Sequence, residues 1–446
     1  MKRAGLLIVF LAVLTFPLSL LATETFMVGA AHEDITPDRP VMMGGYASRN
    51  SPHEGIRTPI FTRALFVKSD TEQILWTVSD LVSLEPGDAA ALAKKVSEAT
   101  GVPADRVVIS TTHTHSGPGT MSSMRDPWYL DGYFTERLVK TAVRAVTSSE
   151  RCTMVVAQGE ASLAYDRRND PPPGEAALKN ADVSKAEVDR RVPAVGFKRA
   201  DGTFKAVLIQ YAMHATSWGD QLIGSEWPGA TASAITELFG EQTEPFVLQG
   251  AAGNLSSPCR MAPPEEMLRW GRVLTESVAD QLKTGKAEDH FNVASAVIAS
   301  EYDRFDAETI HAKAASFCQS LFPGRPDWID FFHHWEAARL AALENDTEHQ
   351  ADGFYQAVAF GKHIFVTTPY ETFCHLNRFL CDRVPFPVHV IGYTNGVYNY
   401  FPDLESYQQG GYEPEAYVWY DSFPMKPGGL EKLADDLVPL LEKVAN

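Results

Sequence analysis

Residues 106–119 read RVVISTTHTHSGPG, an apolar run that ends in a loop containing two histidines. Valine and isoleucine favour extended backbone, so the run predicts a buried strand directly before the loop. His113 and His115 then follow among small and polar residues, with glycine and proline beyond them. A His-x-His pair is by itself a weak signal of a metal site, so its meaning depends on the rest of the chain.

Four further apolar runs end in the same way, each passing into a loop with residues that can carry out chemistry. They are FKAVLIQYAM (204–213) before His214, EPFVLQG (244–250) before AAGNLSSP (251–258), KHIFVTTPY (362–370) before Glu371, and VHVIGYTNGVYNYF (388–401), which carries Tyr398 and Tyr400. The runs lack strict alternation, which indicates strands buried on both faces. Helical stretches are expected at 131–148, 230–239, 265–283 and 371–381.

Strands that alternate with helices predict an α/β fold, with mixed β-sheets and flanking helices. No long Gly/Ser tract, charge block or repeat interrupts the chain, so we expect one large domain. In such folds ligand sites collect in the loops beyond the strand ends. The five loops could therefore converge on one pocket, and we expect a metal site there.

Histidine and glutamate are the metal-ligating residues in these loops. His113 or His115, together with His214 and Glu371, would provide two nitrogen ligands and one oxygen ligand. That set suits Zn²⁺ and leaves a position for water, although iron(II) uses a similar triad. Each residue also has a structural interpretation, with His214 as a hydrogen-bonded core histidine and Glu371 as a carboxylate in the first turn of a helix.

The first 22 residues have the pattern of a secretory signal peptide. Two basic residues precede an almost wholly apolar stretch, Leu6 to Leu21, and Ala22 offers a small residue for cleavage. The stretch is shorter than the ~20 residues of a membrane-spanning helix, and a proline interrupts it. We therefore expect a signal peptide at 1–22, a mature chain at 23–446 without a stable transmembrane segment, and export to the periplasm or the exterior.

The composition argues against nucleic acid as a partner. With 39 Lys and Arg against 57 Asp and Glu, the formal net charge is −18, so the field of the protein repels phosphate groups. Five cysteines leave at least one thiol unpaired, and none has the Cys-x-x-Cys spacing of a structural zinc site. No feature of the sequence indicates an oligomeric state.

The motifs occur in an order that resembles the neutral ceramidases, zinc amidohydrolases that cleave the amide of ceramide to sphingosine and fatty acid. VVISTTHTHSGPG (107–119) is the most specific match, and the resemblance extends over nearly the whole mature chain. The other matching segments are VGAAHEDITPD (28–38), MMGGYASR (42–49), GIRTPIFTRALFV (55–67), YAMHATS (211–217), SEWPG (225–229), QGAAGNLSSP (249–258), TTPYETF (367–373) and YTNGVYNYFPDLESYQQGGYE (393–413).

The resemblance implies roles for individual side chains around one zinc ion per chain. The implied zinc ligands are His113, His214, Glu371 and Tyr400. The residues implied to act on the substrate are His115 as a non-ligand histidine, Tyr412 as a donor to the substrate carbonyl, Ser256 as the active-site serine and Arg167 as the pocket arginine. Arg168 is the neighbouring candidate for the role of Arg167.

The sequence departs from the family pattern in three places. The family's Gly-Asp-Val-Ser-Pro loop is here Gly-Asn-Leu-Ser-Ser-Pro (253–258), which leaves Ser256 and Ser257 as alternatives. No glycine precedes Glu371. The chain also ends where the family continues, so we expect no C-terminal β-sandwich domain.

The function implied by the resemblance is zinc-dependent hydrolysis of the amide bond of ceramide or a related N-acyl lipid, with a metal-activated water as the attacking species. Two alternatives share the fold: a zinc amidase for a non-sphingolipid N-acyl substrate, and an exported binding protein that has lost turnover. A binuclear hydrolase of the amidohydrolase or metallo-β-lactamase type is a third, but HTHSGPG lacks the Asp-His continuation of the lactamase motif. A lipid or small-molecule amide is the expected partner.

Overall fold

The structure, a computed structural model, describes residues 25–121, 124–170, 188–320 and 326–445. The expected signal peptide, residues 1–22, lies outside the described residues. The strands in chain order are β1 Phe26–Asp34, β2 Gly55–Ile56, β3 Phe61–Lys68, β4 Gln73–Ser79, β5 Val107–Thr111, β6 Glu150–Glu160, β7 Tyr165–Asp166, β8 Arg191–Lys198, β9 Phe204–Tyr211, β10 Leu222–Ile223, β11 Glu244–Gln249, β12 Leu255–Ser256, β13 Phe291–Glu301, β14 Gln350–Phe360, β15 His363–Thr367, β16 Glu371–Thr372, β17 Val388–Ile391 and β18 Tyr400–Phe401. The α-helices are α1 Pro86–Thr100, α2 Thr135–Thr147, α3 Glu226–Phe239, α4 Pro264–Thr284, α5 Ala307–Ser320, α6 Pro326–Glu344, α7 His375–Cys381, α8 Leu404–Gln409, α9 Tyr412–Glu415 and α10 Gly429–Ala445.

Two sheets form the centre of the molecule. The larger has eight strands in the order β11-β9-β8-β6-β1-β3-β4-β5, and the smaller has four in the order β13-β14-β15-β17. The five apolar runs form β5, β9, β11, β15 and β17, and all five belong to the parallel pairs of these sheets. Every residue of β5, β9, β15 and β17 is buried, which confirms the expectation of strands covered on both faces.

The two sheets pack face to face and helices cover their outer faces. Trp76 and Leu248 of the larger sheet lie in one buried cluster with Phe360 and Ile391 of the smaller. The larger sheet is covered by α1 and α2 over one half and by α3 and α4 over the other, while α7 and α10 cover the smaller sheet. Burial of one such aliphatic or phenyl side chain contributes about 1.5–3 kcal/mol. The result is a helix–sheet–sheet–helix arrangement, which confirms an α/β fold with mixed sheets and flanking helices.

Local sequence explains how closely these layers approach. Pro86 in the first turn of α1 lacks the N–H that would otherwise be unpaired there, and Gly101 ends the helix in the left-handed region at φ 76°. In β1, a Cβ on Gly29 would lie 1.7 Å from the carbonyl oxygen of Ala145 in α2. Glycine is therefore required at this position for α2 to pack against the sheet at this distance.

One expected helix differs from the structure in a way that bears on the site. A helix was expected at 371–381, but α7 begins only at His375. Glu371 instead lies in β16, which pairs in parallel with β18 and sets Glu371 opposite Tyr400. The backbone N–H of Glu371 donates to the Asn399 carbonyl at 3.0 Å, so pairing with a distant segment of the same chain replaces the expected first helical turn.

The ends of strands from both sheets meet at one place. Isolated bridges join Ser110 to Thr394, Thr114 to Ala215, and Gly250 to Ile391. These bridges bring together the loops that follow β5, β9, β11 and β17. Within the described ranges, none of the helices combines the length and the apolar character needed to cross a bilayer.

Candidate metal centre

His113 directly follows β5 and its imidazole points into the junction of the two sheets. The residue adopts φ 60°, a left-handed conformation that is unusual for a residue other than glycine. Its side chain is buried, and Nδ1 lies 2.7 Å from the Val82 carbonyl oxygen. A carbonyl can only accept a hydrogen bond, so Nδ1 carries the proton and the Nε2 lone pair is free.

His214 follows β9 and is held in the same way. Its Nδ1 lies 2.7 Å from the carbonyl oxygen of Ala252, in the loop after β11. Nε2 of His214 is therefore also an unprotonated nitrogen that faces inward. Anchoring of one ring nitrogen by a carbonyl is typical of metal-binding histidines, because it fixes both the tautomer and the ring orientation.

Glu371 faces both histidines from β16, which follows β15 of the four-stranded sheet. Its Oε2 lies 3.3 Å from Nε2 of His113 and 3.2 Å from Nε2 of His214. Tyr420 donates its hydroxyl to Oε1, and Tyr393 donates to Oε2 at 3.3 Å. Burial by itself would raise the pKa of Glu371, but the two histidines, when they are protonated, more than offset this and hold it well below its usual value.

Tyr400 completes the group from β18. Its hydroxyl lies 3.4 Å from Nε2 of His214 and accepts a hydrogen bond from Nη2 of Arg167 at 3.2 Å. Burial raises the pKa of Tyr400, while the positive charge of Arg167 acts in the opposite direction. Burial and Arg167 also lower the pKa of His214 to about 4, so this imidazole is neutral near pH 7.

The separations between these four groups agree with a tetrahedral zinc site. Tetrahedral ligands at roughly 2.0–2.1 Å from a zinc ion lie about 3.4 Å from one another. Three separations link the four donors: Oε2 of Glu371 lies 3.3 Å from Nε2 of His113 and 3.2 Å from Nε2 of His214, and the Tyr400 hydroxyl lies 3.4 Å from Nε2 of His214. Two imidazole nitrogens, one carboxylate oxygen and one phenol oxygen therefore fit zinc in chemistry, and these three separations fit it in spacing.

His115 belongs to the same cluster but is held differently. The ligand atoms of His113, His115 and His214 all lie within 4.8 Å of one another, and Nε2 of His115 is 3.1 Å from Nε2 of His113. However, Nδ1 of His115 is buried and has no hydrogen-bond partner among the described residues. Its ring packs against Gly45, where an added Cβ would lie 2.6–2.7 Å from the imidazole. His115 thus lacks the anchor that the other two histidines share.

The two candidate arginines have different neighbours. Arg167 donates to Tyr400, to the Gly253 carbonyl at 2.7 Å and to Glu413 at 2.8 Å. Arg168 pairs with the other oxygen of Glu413 and donates to backbone carbonyls of the 406–410 segment. Burial by itself would lower the pKa of Arg167, but Tyr400 and Glu413 more than offset this. Of the two, Arg167 contacts the candidate ligands.

The two candidate serines also differ. Ser257 is buried and its hydroxyl lies 2.9 Å from the hydroxyl of Ser217, so the two are hydrogen-bonded. Ser256 lies at the end of β12 and is only half-buried, and both serines border the same cavity. Tyr412, 56% exposed, stands at the mouth of the site with its ring edge-on to Tyr400 at a centroid distance of 5.9 Å.

Two cavities open on either side of the cluster. The polar chamber, about 850 Å³, is lined by Arg167, Arg168, Asn169, Ser256, Arg260 and Glu413. The aromatic chamber, about 230 Å³, is lined by Val82, Met121, Met124, Trp328, Phe331 and Trp419. Residues common to both chambers are Gly45, Tyr46, His115, Tyr400 and Tyr412. The chambers therefore meet beside the candidate ligands.

The sequence did not single out all of the residues that shape this centre. Tyr393 stacks on His113 with ring centroids 3.9 Å apart, whereas the sequence pattern of YTNGVYNYF indicated only Tyr398 and Tyr400. Tyr420 lies beyond the last recognised motif. The carbonyls of Val82 and Ala252 leave no signal in the sequence, because every residue type has one. Glu226, from SEWPG, accepts hydrogen bonds from the backbone N–H of Ser217 at 2.6 Å and from the hydroxyl of Ser116. It thereby connects the loops that carry His214 and His115.

Comparison with known proteins agrees with this architecture. Residues 26–249, half of the chain, match the family model described as neutral/alkaline non-lysosomal ceramidase, N-terminal. The neutral ceramidases of Drosophila pseudoobscura pseudoobscura and Drosophila melanogaster are each 26% identical over an alignment of 266 positions, which covers 54% of this chain and 37% of theirs. The matched region thus spans little more than a third of those relatives.

Solved structures show the same fold over a longer stretch. Neutral ceramidase from Pseudomonas aeruginosa superposes with a TM-score of 0.69 at 16% identity, over 95% of this chain and 74% of that one. A structure described as ceramidase complexed with C2 gives a TM-score of 0.67 at 14% identity, over 95% and 75% of the two chains. The family model and the shared fold lead to the conclusion that this chain belongs to the neutral/alkaline non-lysosomal ceramidase family.

Proposed function

We propose that this chain hydrolyses the amide bond of an N-acyl lipid, of which ceramide is the member that the family name indicates, and that it uses one zinc ion per chain. The observation that carries the proposal is that Nε2 of His113 and Nε2 of His214 each lie within 3.3 Å of Oε2 of Glu371. Both imidazoles have Nδ1 anchored on a backbone carbonyl, which directs their lone pairs toward the carboxylate.

The proposed ligands are His113, His214, Glu371 and Tyr400. A zinc ion held by this set supplies Lewis-acid polarisation of the scissile carbonyl and activation of a water molecule. Arg167 keeps Tyr400 in place through the hydrogen bond at 3.2 Å. Because Arg167 is itself fixed by Glu413, it also maintains a positive charge beside the reacting carbonyl.

His115 is the proposed proton carrier. Its Nδ1 has no partner among the described residues and its ring borders both chambers, so the imidazole is accessible to a substrate. In this role it accepts a proton from the attacking water and later donates one to the leaving amine. The missing anchor on Nδ1 supports this role, since a ligand histidine needs a fixed tautomer whereas a proton carrier has to change protonation state.

Tyr412 and Ser256 are proposed to hold the substrate carbonyl. Both line the polar chamber next to Tyr400. Ser257 lines it as well, but its hydroxyl already bonds Ser217. A donor aimed at the developing oxyanion contributes roughly 3 kcal/mol to transition-state stabilisation. We favour Ser256 over Ser257 on these grounds.

We further propose that residues 23–446 act as one catalytic unit after removal of a signal peptide at 1–22, in the periplasm or outside the cell. The proposed ligands support a single unit, because they come from four separate segments between residues 113 and 400. The apolar stretch Leu6 to Leu21 supports export.

The test compares the purified mature protein with His214→Ala and with His333→Ala, a matched control on the exposed surface of α6. Zinc content and hydrolysis of ceramide, N-acyl amino acids and simple fatty amides are measured with and without a chelator. We expect one zinc per chain and chelator-sensitive hydrolysis in the wild type and the control. His214→Ala should lose both while it remains folded, which a cooperative thermal unfolding transition would show.

Two outcomes would contradict the proposal. Full activity in His214→Ala would exclude this metal centre from the reaction. Zinc binding without turnover of any amide would instead favour a binding protein of the same fold.

A further inference from the structure

The polar chamber carries an excess of positive charge. Three arginines line it, Arg167, Arg168 and Arg260, whereas Glu413 is its one acidic residue among those described. Glu413 accepts ion pairs from both Arg167 and Arg168. Counted over the described residues, the chamber therefore has two positive charges in excess, although the protein as a whole has a net charge of −18.

Arg260 differs from the other two arginines of the chamber in its ion pairing: Glu413 pairs with Arg167 and Arg168 but not with Arg260. It lies just after the loop 253–258 that carries Ser256, and its exposed side chain borders the polar chamber. No carboxylate pairs with it among the described residues, in a protein where acidic residues greatly outnumber basic ones. An arginine left unpaired in such surroundings is available to bind an anionic group with the paired geometry that guanidinium and carboxylate share.

The arrangement of the chambers fixes where an amide substrate could place such a group. Both chambers meet at His115, Tyr400 and Tyr412, beside the proposed zinc ligands. A scissile amide at this junction extends one substituent into each chamber. The aromatic chamber, with Trp328 and Trp419, suits an acyl chain, which leaves the nitrogen substituent for the polar chamber.

We infer that the preferred substrates carry a carboxylate on the nitrogen side of the amide, as N-acyl amino acids do. This inference rests on the proposed amide hydrolysis and names the substrate class for the same site. The carboxylate pairs with Arg260 at the entrance of the chamber, while Arg168 adds to the positive potential from within. A long uncharged alkyl substituent would instead cover these arginines without offering them an acceptor.

The reaction is an ordinary hydrolysis. The C–N bond breaks, the hydroxyl of water adds to the acyl carbon, and the remaining proton of that water goes to the nitrogen of the departing amino acid. The products are a fatty acid and a free amino acid, so no oxidant or further reactant is needed.

The test uses N-lauroylglycine and N-lauroylethanolamine, which share the acyl chain and differ in the charge of the nitrogen substituent. Values of kcat/KM are compared for the wild type, Arg260→Gln and Arg272→Gln. Arg272 is an exposed arginine of α4 that pairs with Glu237, so its replacement removes one positive charge away from the chambers. N-lauroylsphingosine serves as the ceramide substrate.

We expect the wild type to prefer the glycine amide at least tenfold. Arg260→Gln should reduce this preference about tenfold, the effect of losing one charge-assisted hydrogen bond, and Arg272→Gln should retain it. The preference should also weaken as ionic strength rises, because Arg260 is exposed.

The possible failures are distinguishable. Equal kcat/KM for the two lauroyl amides, a preference for the ceramide, or an unchanged preference in Arg260→Gln would overturn the inference and leave amide hydrolysis intact. Absence of chelator-sensitive hydrolysis of all three substrates would overturn the proposed function and this inference together.

Discussion

Removal of a single hydroxyl in Tyr420→Phe should weaken zinc binding without touching a proposed ligand. Tyr420 donates to Oε1 of Glu371, whose other oxygen faces the two histidines. Glu371 is only 3% exposed, so bulk water does not replace the lost donor. A hydrogen bond to a charged group contributes about 1.5–3 kcal/mol, which corresponds to a loss of roughly 10- to 100-fold in affinity.

The assay is competition for zinc between the metal-free protein and a chromogenic chelator. Tyr133→Phe is the matched control, because Tyr133 donates its hydroxyl to the Thr36 carbonyl at 2.7 Å, outside the centre. We expect the control to bind zinc as tightly as the wild type. If Tyr420→Phe also retains the wild-type affinity, or if both variants lose affinity equally, the support of Glu371 by Tyr420 does not contribute to metal binding and the reasoning is wrong.

Three further predictions follow from buried or closely packed groups. Burial raises the pKa of Glu226 from its usual 4.5 to about 8. Between these pH values this residue ionises in the unfolded chain but not in the folded chain, so the free energy of unfolding decreases as pH rises. Glu226→Gln should make the decrease between pH 5 and pH 8 smaller than in the wild type by up to a few kcal/mol, which measurements of the unfolding free energy of both proteins at the two pH values would show. Ser256→Ala should lower kcat/KM with little change in melting temperature. Ser257→Ala should cost about 1 kcal/mol of stability, because it loses the hydrogen bond to Ser217. The reverse result would make Ser257 the active-site serine and Ser256 the structural one. In Gly45→Ala the added Cβ would lie 2.6–2.7 Å from the His115 side chain, so the ring should be displaced. We expect kcat to fall on the order of 100-fold. Loss of zinc in that variant would identify His115 as a ligand.

The sequence predicted the strands of the fold better than their assembly. Each of the five apolar runs became a buried strand in a parallel pair, because β-branched residues without alternation require cover on both faces. Their division between two sheets packed face to face was not predictable, since it depends on long-range pairing that leaves no local pattern. The strand at Glu371 was missed for the same reason, because its partner, Tyr400, lies far along the chain.

The candidate ligands were found by sequence, but what distinguishes them was not. His113 and His115 look equivalent in HTHSGPG, and the residues alone left open which of them would bind a metal. The difference is a hydrogen bond from Nδ1 of His113 to the Val82 carbonyl, for which His115 has no counterpart among the described residues. Val82 contributes through its backbone, so no substitution pattern or motif at that position would have revealed its role.

The proposed ligand set draws on both sheets, and this has a consequence for how the centre is held. His113 and His214 follow strands of the eight-stranded sheet, whereas Glu371 and Tyr400 follow strands of the smaller one. Their separations of 3.2–3.4 Å therefore depend on the apolar packing between the sheets, which is dense and resists compression. A bound ion would in turn join the two sheets, and because the unfolded chain lacks the site it would stabilise the fold by about 4 kcal/mol at a free concentration 1,000 times its Kd. Metal affinity and stability are thus linked through the same interface, so a cavity made between the sheets should weaken zinc binding even though it lies outside the centre.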